Sequence, residues 1–154
     1  MWGPPSFSMT VFSSEFLGRL HPLMIHLPIA ALVLAALVEL WRLARETAGA
    51  AAVVRFLSAI GAAGAVLAAG TGWIFAHEYR RHDIAALLDR HRWLGVATAV
   101  LAVAAWLAVY TWSEATSPGK RWMRRIAVWG AAVVLVIAAH LGALLVWGAD
   151  YFTS

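Results

Sequence analysis

The sequence predicts an all-α fold, a transmembrane four-helix bundle running up-down-up-down. Hydrophobic residues fill 62% of its 154 positions and charged ones only 13%, with a mean hydropathy of +0.75. So few charges would not cover the surface of a water-soluble domain of this length. The apolar residues gather at about 22–44, 52–76, 93–112 and 126–147, and each run is close to the roughly 20 residues a helix needs to cross a ~30 Å hydrocarbon core. A helix satisfies its own backbone groups in lipid. The connections "RETAGAA", "HEYRRHDIAALLDRH" and "SEATSPGKRWMRR" are short enough to make successive spans antiparallel neighbours. Residues 1–154 therefore form a single integral membrane domain.

The elements follow in order. The opening "MWGPPSFSMTVFSSEF" lacks the basic and apolar regions of a cleaved signal, so it is expected to stay on the mature chain. Its Phe7, Val11, Phe12, Phe16 and Leu17 suit an interfacial amphipathic turn or two. The first span starts at "HPLMIHLP", where Pro22 is a good first-turn residue. Pro28 has no N–H to give the Met24 carbonyl, which bends the helix or frees an acceptor. The second span, "SAIGAAGAVLAAGTGW", carries Gly61, Gly64, Ala65, Ala68 and Gly72 at spacings that let helix backbones approach closely. Those small residues either pack the bundle or leave a groove for a flat cofactor. The "IAALLD" of the middle connection suits a surface helix or a helical extension. No internal repeat stands out, beyond a histidine at the start of both the first and third spans.

The net charge of +4 and pI near 10.3 do not point to nucleic acid, because the basic residues sit beside apolar spans where they orient the chain and meet anionic lipid. Arg42, Arg45, Arg55, Lys120, Arg121, Arg124 and Arg125 lie on one side, and Arg19, Arg80, Arg81, Arg90 and Arg92 on the other. That asymmetry places both termini and the middle connection outside. Tryptophans 41, 112 and 122 mark the inner interface, and 73, 93 and 147 the outer one. The chain has no cysteine, which excludes thiolate metal sites and covalent c-type haem attachment within it.

All six histidines fall toward the outer side. His26 and His140 lie at similar depths in spans from opposite ends of the chain, the arrangement a bis-histidine haem requires. His140, in "VIAAHLGALLVWG", has no polar neighbour and needs a partner inside the bundle. A hydrogen bond to a neighbouring helix, a haem iron or other metal, or a quinone or proton site would each serve. His21 and His91 form a second, shallower pair, with Arg19 and Arg92 placed to hold propionates or phosphates. The five-residue spacing of His21 and His26 turns them about 140° apart, too far to chelate one ion. "HEYRRH" (His77, Glu78, His82) is not a zinc-protease motif, which needs histidines four apart. Glu39 is expected to pair with Arg42 or to snorkel, with a proton-handling role as the alternative.

The segments "LGRLHPLMIHLPIAALVLA", "HRWLG" and "HLGALLVWG" together resemble a bacterial four-helix membrane family, domain of unknown function 2231. The resemblance falls on His21, His26, His91 and His140 and omits His77 and His82. It departs where Leu27 stands for an aromatic residue and Gly142-Ala143 for a glycine pair. It implies a bacterial cytoplasmic-membrane protein working beside c-type cytochrome or Rieske modules, with other membrane subunits. The resulting expectation is a b-type-cytochrome-like electron-transfer or cofactor-anchoring subunit. In it, haem b sits between His26 and His140, supported by His21, His91, Arg19 and Arg92, and electrons pass between quinol and an extracytoplasmic carrier. The subunit itself is expected to be redox-active or structural rather than catalytic. Two alternatives stand beside it: a structural or assembly subunit with no cofactor, and a non-haem metal site formed by three of the four histidines.

Overall fold

A computed structural model of the chain describes residues 14–78, 84–112 and 117–148. Its helices are α1 (Ser14–Arg19), α2 (His21–Met24), α3 (His26–Trp41), α4 (Ala48–Glu78), α5 (Ala85–Trp112) and α6 (Pro118–Trp147). The short α1 and α2 run into α3 to make the first of four helical spans, Phe16–Trp41. The others are Ala48–Ala76, Ala85–Trp112 and Pro118–Trp147, and all four are long and apolar enough to cross a membrane. The protein is an all-α four-helix bundle of the integral membrane type.

Each span begins before its apolar run. Asp89, Arg92, Arg124 and Arg125 stay helical because they pair with one another's kind or snorkel, so charge does not end the helix. The "IAALLD" stretch accordingly extends α5 at its N-terminus. The first span is segmented where its prolines remove donors, Pro22 from the Gly18 carbonyl and Pro28 from that of Met24. Between those gaps the ladder continues, with Ile25 N–H on the His21 carbonyl at 3.1 Å, and it resumes just past the second, with Ile29 N–H on the Ile25 carbonyl at 3.3 Å. Residues 7–12 and His82 lie outside the described residues, and His77 is described only in its backbone.

The packing is inside-out relative to a water-soluble protein. Alanines fill the centre (Ala31, Ala35, Ala65, Ala102, Ala105, Ala131), while Leu37, Phe56, Val100, Ile126 and Val136 point outward. Large aliphatic side chains facing out and small ones between helices are what lipid solvent selects. The close approach is specific. A Cβ on Gly61 would lie 2.6 Å from a Leu32 methyl, and one on Gly64 2.9 Å from the Pro28 ring. Both glycines therefore seat the first span against the second.

The bundle contains a repeat that hydropathy alone does not reveal. Positions displaced by 70 residues are equivalent: Leu32 with Ala102, Ala35 with Ala105, Ala65 with Leu135 and Ala68 with Ala138 are all buried. Leu32, Ala65, Ala102 and Leu135 share one core layer, in which each half supplies a leucine and an alanine. The two α-hairpins, α1–α4 and α5–α6, are thus parallel repeats related by a pseudo-two-fold axis along the bundle.

Candidate functional site

His21 and His91 occupy equivalent positions at one end of the bundle, and the fold brings them together. Their ring centroids are 6.2 Å apart with planes inclined at 71°. His21 Nδ1 donates to the Ala68 carbonyl at 2.9 Å, and His91 Nδ1 donates to the Ala138 carbonyl at 2.9 Å, each bond joining residues 47 apart. A carbonyl only accepts, so each neutral imidazole carries its proton on Nδ1 and leaves the Nε2 lone pair available. His91 follows His21 by 70 positions, as Ala138 follows Ala68 and Gly142 follows Gly72.

The glycines complete each half-site. A Cβ on Gly72 would lie 2.7 Å from His21 Cε1, and one on Gly142 2.9 Å from His91 Cε1. Only a residue without a side chain lets each ring lie flat against the neighbouring helix. In both halves the helix that accepts the imidazole bond reads Ala-Ala-x-x-Gly, at 68–72 and 138–142.

The two imidazoles line a cavity of about 450 Å³, within the roughly 300–1,000 Å³ typical of sites that enclose a small molecule. Its wall is apolar, drawn from Ile29, Ala65, Ala69, Leu88, Leu135 and residues like them. Thr98 also faces it, but its hydroxyl donates to the Leu94 carbonyl of its own helix at 2.8 Å. Arg92 lies at the rim with its guanidinium 4.0 Å from the Trp73 ring. Arg19 is exposed at the end of α1 and is not among the lining residues.

His26 and His140 are not brought into this site. Both are exposed and neither lines the cavity. The expected His26–His140 pairing matched depth but not direction. Each residue follows by two positions, or precedes by two, a buried one (Pro28, Ala138), and two residues turn a helix by about 200°. Their rings therefore point away from the axis. Among the described residues, no three His, Asp or Glu side chains converge on a point where they could hold a metal ion.

Sequence reasoning missed the opposite end of the bundle. Glu39 pairs with Arg42 at 2.7 Å, as expected, and also with Arg124 at 3.0 Å from the fourth span. Arg42 reaches Glu46 at 2.6 Å and Arg125 reaches Glu46 at 2.7 Å. Glu39 is wholly buried and Arg42 and Arg124 nearly so. Trp129 Nε1 adds a bond to the Ala36 carbonyl at 3.1 Å. This network fastens the first span to the fourth.

Compared with family models, with curated proteins and with solved structures, the chain finds no match.

Proposed function

We propose that the protein is a membrane-bound b-type-cytochrome-like subunit for electron transfer or cofactor anchoring, with a haem held between His21 and His91. The observation that carries this reading is the pair of imidazoles, each locked by a backbone carbonyl at Nδ1 and both lining one apolar cavity. Metal-bound histidines characteristically donate their other ring N–H to such a partner, which fixes the tautomer and raises ligand basicity. The placement of the two rings is compatible with this reading. His21 and His91 come from different spans and both line the cavity, so they are the residues that would hold the iron of such a group. Their ring centroids lie 6.2 Å apart.

Haem would supply one-electron redox chemistry. The chain's own residues would do the rest: Ala68 and Ala138 orient the ligands, Gly72 and Gly142 give them room, and the apolar wall excludes water. The loop charges favour placing the histidine end on the outer face of a bacterial cytoplasmic membrane. There, quinol on one side and a c-type cytochrome or Rieske protein on the other would be the exchange partners that the family resemblance implies. A purely structural subunit would use the same two hydrogen bonds with nothing between the rings.

A reduced-minus-oxidised optical spectrum of the purified chain separates the two. Haem bands of a low-spin, bis-histidine type are expected. His21→Ala and His91→Ala should each abolish them, while His26→Ala and His140→Ala should leave them in place. Bands that survive loss of His21 or His91 would overturn the ligand assignment. Absence of haem bands together with a blank metal analysis would leave the structural reading.

A further inference from the structure

The cavity is symmetric in its imidazoles but not in its charge. Arg92 stands at the rim, and the position 70 residues before it is Pro22, which also lines the cavity. We propose that the cavity receives a ligand bearing a carboxylate on one edge, and that Arg92 is the residue that binds it. This rests on the haem reading for the body of the ligand, which would make the carboxylate a tetrapyrrole propionate.

Arg92 is underpaired. Among the described residues its ion-pair partner is Asp89, in a single contact of 3.4 Å with a side chain that is 46% exposed, whereas that of Arg92 is 17% exposed. So long a contact to a wet carboxylate is weak. The Arg92 Nε is buried and has no hydrogen-bond partner, a costly state for a cationic donor. The Nε atoms of Arg124 and Arg125 also lack a hydrogen bond, but each faces the Glu39 carboxylate, at 3.0 and 3.6 Å, and both guanidinium groups also meet Glu46 at 2.7 to 3.3 Å. Among the described residues the Asp89 contact of Arg92 is made through its Nη1 alone.

Arg92 is also held still. Its guanidinium lies over Trp73, which Trp93 braces edge-on at 5.6 Å between centroids. A stacked guanidinium is a preorganised fork for a carboxylate. With a cation on one side and Pro22 on the other, a planar acid has one preferred orientation across the two-fold axis. The rest of the lining is apolar and matches the body of such a ligand.

Metal-free protoporphyrin IX and its dimethyl ester test this without iron. Titrated by fluorescence into the purified chain in neutral detergent, the free acid should bind about tenfold more tightly than the ester, the difference one charged hydrogen bond makes. Arg92→Gln should erase the preference and Arg92→Lys should keep part of it, both with wild-type thermal unfolding. His21→Ala should leave the preference intact while abolishing the low-spin haem spectrum, so the two readings fail separately. Equal binding of acid and ester, no binding of either, or a preference that survives Arg92→Gln would overturn the assignment. Loss of the preference on adding phosphatidylglycerol vesicles would also overturn it, by assigning Arg92 to a lipid phosphate.

Discussion

Replacing Gly72 with alanine should separate the stability of the bundle from the competence of its site. The added Cβ would lie 2.7 Å from His21 Cε1, whereas non-bonded carbons settle at about 3.5–4.0 Å. The imidazole must therefore move by roughly 1 Å. Its 2.9 Å bond to the Ala68 carbonyl has little slack before it is lost, and metal–ligand distances tolerate only about 0.2 Å. The backbone, by contrast, gains from the change, since alanine is favoured over glycine in a helix by up to about 1 kcal/mol. The expected result is thermal unfolding in detergent at or above the wild-type temperature and, on the proposed haem reading, haem occupancy lost or the low-spin spectrum converted to high-spin. Gly142→Ala should act in the same direction but less severely, because its Cβ would sit 2.9 Å from His91 Cε1. Gly70→Ala is the control: a Cβ there meets nothing within 4 Å. A Gly72→Ala protein with wild-type occupancy and spectrum, or a Gly70→Ala protein equally impaired, would refute the reasoning.

Two further outcomes concern the arginine end. Glu39→Ala leaves buried guanidinium groups uncompensated and should destabilise the bundle by about 3–5 kcal/mol, read as a lower thermal midpoint. Glu39→Val with Arg124→Val should recover most of that loss, and a double variant no better than the single one would count against the pairing. The second outcome is pH dependence at Glu46, which lies between the first two spans. Burial pushes its carboxyl up, but the hydrogen bond from Arg42 and the charges of Arg42, Arg124 and Arg125 prevail and hold it below its ordinary value. As pH falls, the unfolded chain takes up this proton first. The stabilisation from Glu46 is therefore full above the ordinary carboxylate range near 4.3 and drains away as pH drops through the lowered value. Glu46→Gln should flatten that acid limb of a stability–pH curve, and an unchanged limb would place the titration elsewhere.

The fold was legible because lipid imposes it: four apolar runs and short links admit few other arrangements. Helix starts were less legible. A residue such as Arg124 reads as the end of a span until a buried carboxylate 85 positions away, Glu39, is seen to hold it. The site was half legible. His21 and His91 were recognisable as a pair at one depth, but depth also favoured His26 with His140, and only direction around the helix separates the two pairs. That direction was encoded in a weak signal, the Ala-Ala-x-x-Gly that recurs 70 residues apart beneath each inner histidine. Because the intervening residues differ between the two halves, hydropathy conceals it.

The two ends of the bundle treat the repeat oppositely, and that contrast bears on what each end is for. At the histidine end, equivalent residues are kept alike: histidine, accepting carbonyl and glycine appear in both halves, as two ligands of one centre on the axis would need. At the arginine end the halves differ. The contact between Glu39 and Arg124 has as its repeat equivalent Val109 and Val54, which are both fully buried in one core layer. The same place is thus built once with charge and once with hydrocarbon. A buried ion pair contributes little more stability than apolar residues of similar size, so net stability does not explain the difference. Its effect falls on alternatives. Any arrangement that presented Glu39 to Val54, or Arg124 to Val109, would bury an unpaired charge at a cost of several kcal/mol. Two hairpins with similar alanine faces could otherwise pair in more than one way, within a chain or between copies. The charged network removes that choice at one end, which leaves the other end free to be symmetric.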